Sequence, residues 1–273
     1  MNALQTLARI DFYLDVSRNA RFFFSDYNKA VNDAIHNYID EKVGDEKQRN
    51  PENFQWIQQI RDDLFTLIAV ATPSITNGTV RANRYYSSTP SHINFPPDYY
   101  AFVQLDTLID AFWDYSRPIT FNELGPLLKD SFKHPTNLKT YYNEDATGLT
   151  IHRGVGGTFT TAKLTYLRTP VDFSVGSEDQ LIDEGTGVLT PGDDYIAVEV
   201  SVENTNTYQI GDQFTAGTAD LTSGQVILAS NTSPVDLPEK VHDEICKAAS
   251  RIMLLVTSNY PAAQAVDSEV ERS

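Results

Sequence analysis

The chain has 273 residues, long enough to bury a core in one or two domains, and its 41% hydrophobic content argues against wholesale disorder. Its 37 acidic against 21 basic residues give a formal net charge of −16. Tight general DNA binding, which draws on Lys and Arg against phosphates, is therefore not expected, and an acidic surface reads first as a solubilising one.

Local features extend these exclusions. The longest apolar runs, at 64–70 and 252–256, fall far short of a bilayer span. The first residues carry no basic flank ahead of an apolar core, so no secretory signal is expected. The single cysteine, Cys246, has no internal partner, which suits a reducing compartment such as a cytoplasm.

Helices come first in the chain. Residues 3–16 place Leu4, Leu7 and Leu14 on one side. Residues 26–42 follow the helical period with Tyr27, Val31, Ala34, Ile35 and Tyr38, and Ser25 is positioned to cap them. A charged segment, Gly44 to Arg49, reads as a loop. Asn50-Pro51 then announces a third helix that carries Phe54, Ile57, Ile60, Leu64, Leu67 and Ile68 before Pro73 stops it.

From residue 73 to 236, Thr, Val, Tyr, Gly and Pro dominate and alternation replaces the helical period. Pro96-Pro97-Asp98 suits the start of a short helical turn, and residues 102–113 read as a buried strand or short helix, with strand favoured. Strands at 149–152 and 162–167 are expected to pair as a hairpin across Gly154-Val155-Gly156-Gly157. Residues 194–229 form a further β unit, with turns at Gly211-Asp212 and Ser223-Gly224 and a closing strand at 225–228.

The last helix is announced by Asp236 as a cap, Pro238 in the first turn and Glu239 in a capping box. Its apolar stripe is Val241, Ile245, Ala248, Ala249, Ile252 and Leu255, and Tyr260-Pro261 ends it. The small, polar residues beyond have no core-forming pattern and are expected to be a flexible tail in the free protein. The fold class expected is thus α+β: a helical bundle from the N-terminal helices and a C-terminal helix, a β-rich middle and an inserted small β module. The expected division is 1–75 with 236–260, then 76–193, 194–235 and a tail at 261–273.

No residue pattern points to catalysis, a cofactor or a metal. His36, His92, His134, His152 and His242 are scattered, with no pair at ligand spacing on a helix. The glycines at 154–157 lack the spacing of a phosphate loop. Cys246 lies among apolar helix positions, a poor place for a nucleophile. The acidic pairs Glu178-Asp179, Asp183-Glu184 and Asp193-Asp194 flank turns but do not match the spaced EF-hand loop. Most of the 14 Tyr and 14 Phe are accounted for by core packing, though a Tyr-rich β region also admits a glycan-binding alternative.

A succession of short motifs carries a resemblance. Phe95-Pro96-Pro97-Asp98-Tyr99-Tyr100 precedes an apolar segment, followed by Glu123-Leu124, Asp130-Ser131-Phe132-Lys133-His134-Pro135, Tyr141-Tyr142 and Ile151-His152. Tyr166-Leu167-Arg168-Thr169-Pro170 comes next, and Leu237-Pro238-Glu239-Lys240-Val241-His242-Asp243-Glu244-Ile245 opens the terminal helix. Over roughly residues 50–260 this order resembles the virion neck proteins of tailed bacteriophages, the crAss-like phages above all.

The resemblance implies a head-to-tail connector, or adaptor: a ring of about twelve copies docked beneath the portal, extending the channel for genome exit. The partners it implies are further copies of the chain, the portal protein, other neck or tail proteins, and DNA passing without specific binding; no membrane is among them. It also implies that the C-terminal tail reaches onto the portal, with Tyr260, Val266 and Val270 as docking side chains. The location implied is the virion neck. The other functions kept open are a tail-fibre or receptor-binding structural module and, behind it, a hydrolase with unusual carboxylates.

Overall fold

A computed structural model describes residues 1–14, 22–49, 62–78, 81–82, 87–120, 122–136, 138–155, 159–177, 180–183, 189–198, 201–203, 206–209, 212–217 and 221–256. The architecture is α+β, with helices from both ends of the chain and a β-rich middle. Two compact units divide the chain: a central unit, Leu67–Thr169, and a terminal unit built from Met1–Thr66 and Pro170–Ser273. Among the described residues, no helix is long and apolar enough to cross a membrane.

The central unit contains strands β1 (Ile68–Ala71), β2 (Ile75–Asn77), β3 (Arg81–Ala82), β4 (Ser87–Asn94), β5 (Tyr99–Ile109), β6 (Phe112–Tyr115), β7 (Arg117–Pro118), β8 (Tyr141–Glu144), β9 (Gly148–Gly154) and β10 (Phe159–Arg168). They form two sheets, ordered β1-β10-β5-β6 and β2-β4-β9-β8-β7, with β3 also pairing β4. Alternation decides which side chains go inward. Along β5, Ala101, Leu105, Thr107 and Ile109 are buried, two residues apart from Leu105 onward. Leu105, Ala162, Leu164 and Tyr166 of the first sheet meet Ile93, Tyr142, Leu149 and Ile151 of the second in one core. Each such aliphatic side chain contributes about 1.5–3 kcal/mol on burial.

Three expectations are corrected in this unit. The third helix was expected to run to Pro73. Its described part instead ends at Leu64, tightens into a 3-10 turn at Phe65–Leu67 and becomes β1, while residues 50–61 lie outside the described residues. A short apolar run suits either state, and the antiparallel ladder of Ile68–Ala71 with β10 decides for strand. The expected single strand at 102–113 is a hairpin, β5 and β6, turning at Asp110 and Ala111. Both turn residues have positive φ, 49° and 68°, the signature of a two-residue turn that follows the strand twist. Finally, β9 and β10 do not pair with each other. The ladders of β9 are with β4 and β8, and those of β10 with β1 and β5, so the glycine segment joins two sheets.

The terminal unit contains helices α1 (Ala3–Leu14), α2 (Phe24–Arg49) and α3 (His242–Val256). Asn2 and Gln5 open α1 with a reciprocal box: the Gln5 N–H donates to Asn2 Oδ1 at 2.9 Å and the Asn2 N–H to Gln5 Oε1 at 3.1 Å. Ser25, expected as a cap, lies inside α2. The Phe23 N–H donates to Asp26 Oδ2 at 2.9 Å instead. The helix runs on through the charged segment expected as a loop, because Glu, Lys, Gln and Arg are good helix formers and one glycine costs only about 1 kcal/mol.

Both N-terminal helices pack on α3. Ser250 Oγ approaches the Ile10 carbonyl at 3.4 Å, and Tyr27 Oη donates to Asp11 Oδ1 to tie α2 to α1. An extended strap crosses α2, held by two asparagines one turn apart. Asn32 accepts from the Phe173 N–H at 2.8 Å and donates to the Phe173 carbonyl at 3.1 Å. Asn28 repeats this with the Val175 N–H at 2.9 Å and the Gly176 carbonyl at 3.2 Å.

Two further expectations concern the last helix. Asp236 does not cap it: its carboxylate accepts from the Val171 N–H at 3.0 Å, and its carbonyl from Thr66 Oγ1 at 3.2 Å. The buried face of α3 is His242, Ile245, Cys246, Ala249, Ser250, Met253 and Leu254, rotated from the expected stripe so that Leu255 is 41% exposed. Tyr260-Pro261, expected to end the helix, lie outside the described residues.

Small strands complete the unit: β11 (Ile182–Asp183), β12 (Asp194–Ala197), β13 (Ser201–Glu203), β14 (Asn206–Tyr208), β15 (Gln213–Thr215), β16 (Leu221–Ser223) and β17 (Gln225–Leu228). They form two sheets, β11-β17-β12-β15 and β14-β13-β16, around Leu189, Tyr195, Phe214, Ala216, Leu221 and Val226. Gly224, at φ 87°, makes the break between β16 and β17 at the expected Ser223-Gly224 turn.

Candidate functional site

The residues weighed for chemistry hold local structure. His92 Nδ1 lies 3.7 Å from Asp145 Oδ2 and 3.3 Å from Thr150 Oγ1. His152 donates from Nε2 to Asn143 Oδ1 at 2.7 Å, and His242 from Nε2 to the Leu237 carbonyl at 2.7 Å. Burial pushes the Cys246 thiol up to about 12, so it stays protonated near neutral pH. Among the described residues, no three His, Cys, Asp or Glu side chains gather as a metal site. Asp194 accepts from Thr215 Oγ1 at 2.5 Å across the β12–β15 ladder. Glu178, Asp179 and Glu184 lie outside the described residues, as do the docking residues Tyr260, Val266 and Val270.

The motif residues are clasps within each unit. In the central unit, Asp98 accepts from Tyr166 Oη at 2.9 Å, and its carbonyl accepts from the Thr169 N–H at 2.7 Å. In the terminal unit, Asp243 accepts from Arg9 Nε at 2.9 Å and Tyr13 Oη at 2.7 Å, with Lys247 Nζ at 3.3 Å. Partial burial pushes the Asp243 carboxyl up, but the hydrogen bonds from Tyr13, Arg9 and Lys247 outweigh it and hold the group below its usual range. Burial and the same carboxylate raise Tyr13 to about 12.

Two surfaces have the character of docking sites. The first is a groove of about 370 Å³ between α2 and α3, floored by Ala34, Ile245, Ala248 and Ile252. Glu41 and Glu244 border it together with Lys247 and Arg251. Burial first, and then Asp63, Glu244 and Glu41, push the Tyr38 phenol at its wall well above the ordinary tyrosine range. Four residues of the expected apolar stripe, Ile245, Ala248, Ile252 and Leu255, line this groove.

The second surface is the outer edge of β6. Phe112 is 63% exposed and Trp113 56%, and they point to opposite faces of the sheet. Asp114, the next residue, is half-buried and accepts from Thr140. Sequence reasoning placed these aromatics in a buried segment, whereas they begin the strand that follows the Asp110-Ala111 turn. No family model matches the chain, and no curated protein matches it.

Proposed function

We propose that the protein is a structural subunit of a head-to-tail connector ring in the neck of a tailed bacteriophage. The observation that carries this reading is the joining of helices from both chain ends: α1 and α2 both pack on α3, and Arg9 and Tyr13 reach Asp243. Such a frame fixes shape and leaves the intervening segments to serve partners. The resemblance of the motif succession supplies the context; the motif residues Asp98, Tyr166 and Asp243 make tertiary clasps, and His242 bonds locally to the Leu237 carbonyl.

The net charge of −16 fits a wall past which DNA slides without sticking. The ring of about twelve copies, the portal as neighbour, and docking through Tyr260, Val266 and Val270 are parts of the same proposal. Quantitative mass spectrometry of purified virions tests it. The protein is expected in a fixed copy ratio to the portal, and its absence from virions would sink the reading.

The exposed aromatics of β6 favour a second reading, a receptor- or glycan-binding module of a tail fibre, since aromatic faces stack on sugar rings. Binding of the full chain on a glycan array, lost in Trp113→Ala, would support it over the ring.

A further inference from the structure

Sheets of soluble proteins blunt their free edges, because an unpaired row of N–H and C=O groups recruits another strand. The second sheet of the central unit follows this rule. Its edge strand β7 is two residues long and carries Pro118, and its other edge, β2, is three residues ending in exposed Thr76 and Asn77. The first sheet does not. Among the described residues, neither β1 nor β6 has a partner on its outer side. β1 is Ile-Ala-Val-Ala with Val70 55% exposed, and β6 is Phe-Trp-Asp-Tyr with Phe112 and Trp113 exposed.

The register shows which groups face outward at β6. Ile109 pairs with Phe112 across the two-residue turn, and the Ser116 N–H donates to the Leu105 carbonyl at 3.0 Å. The pairs 109/112, 107/114 and 105/116 therefore exchange hydrogen bonds, and the main-chain groups of Trp113 point away from β5. Charge agrees. In a chain at −16, β1 has no charged residue, and the one carboxylate of β6, Asp114, accepts from the Thr140 N–H at 2.9 Å and Oγ1 at 3.0 Å. With no charge on β1 and the Asp114 carboxylate of β6 held by Thr140, no pair of like charges faces across such a contact.

We propose that these two edges join copies of the chain head-to-tail, β6 of one against β1 of the next. This deepens the ring reading and rests on it for the number of copies. The occupant β6 needs is an open, uncharged strand of matching length, and β1 supplies one at the opposite end of the same sheet. Two different edges in contact make a heterologous interface, which repeats around a ring instead of stopping at a dimer.

The full-length protein tests this by native mass spectrometry and by cross-linking. Two variants, Val70→Cys and Trp113→Cys, are mixed and oxidised, with buried Cys246 common to both. The expected product is a covalent dimer containing one of each, with little from either variant alone. Trp113→Lys and Val70→Lys are each expected to weaken assembly at least about tenfold while near-ultraviolet circular dichroism stays native.

Efficient cross-linking of Trp113→Cys with itself would overturn the head-to-tail contact in favour of a two-fold one. A wild type that stays monomeric, or folded lysine variants that assemble normally, would overturn it outright, as would loss of glycan binding in Trp113→Lys with assembly intact. Rings indifferent to both lysines would remove the edge contact and leave the neck reading standing. Mixed dimers from a protein missing from virions would do the reverse.

Discussion

Tyr13 on α1 donates its phenolic proton to the Asp243 carboxylate on α3 at 2.7 Å, across 230 residues of chain. The contact closes the terminal unit by joining the first helix to the last. Arg9 pairs with the same carboxylate, but both side chains of that pair are nearly half exposed, so it contributes little. The Tyr13 bond, made by a residue only 9% exposed, is the stronger of the two.

Tyr13→Phe is expected to lower stability by about 1 kcal/mol, the net worth of one such bond, read from urea unfolding. The pH dependence follows from the lowered Asp243 carboxyl. A depressed carboxyl stabilises the fold above its unfolded value, near pH 4, and this contribution fades as pH falls through the folded value. The gap in thermal midpoint between wild type and Asp243→Asn should be widest near neutral pH and shrink in acid. A gap that widened on acidification would contradict it.

The asparagine clamp on α2 gives a second expectation. Asn32→Ala removes two hydrogen bonds to the peptide groups of Phe173, whose side chain is fully buried. A loss of about 1–3 kcal/mol in urea denaturation is expected, and Asn28→Ala should behave alike at Val175 and Gly176. Neutral substitutions at both would mean the strap is held by Phe173 and Val175 alone.

Glycines distinguish close packing from open space. A methyl at Gly148 would stand 1.9 Å from the Ile93 carbonyl oxygen, within the β4–β9 ladder. Gly148→Ala should cost about 1–3 kcal/mol or displace the register. Nothing lies within 4 Å of the same position at Gly44, inside α2, so Gly44→Ala should stabilise by about 0.5–1 kcal/mol. Thermal midpoints moving in opposite directions are the expected result.

Cys246 is fully buried and its thiol is pushed up to about 12. At pH 8 a thiol-specific disulfide reagent should leave the native protein unmodified and titrate one thiol on unfolding. Fast stoichiometric labelling of the native protein would show that α3 opens readily from α1.

The three helices and the long strand β10 were determined by the sequence itself, because side-chain periods of 3.6 and 2 are imposed by local backbone geometry. Partners were not. Ile68–Ala71 is apolar in a way that fits helix or strand, and only its ladder with β10 chose. Asp236 was equipped to cap a helix, yet a peptide N–H 65 residues away, at Val171, took its carboxylate. The candidate docking surfaces lay furthest from sequence reasoning, since Phe112 and Trp113 are the same residues whether a second sheet covers them or leaves them bare. Burial and pairing are set by contacts between residues distant along the chain, and no local pattern encodes which of those contacts form.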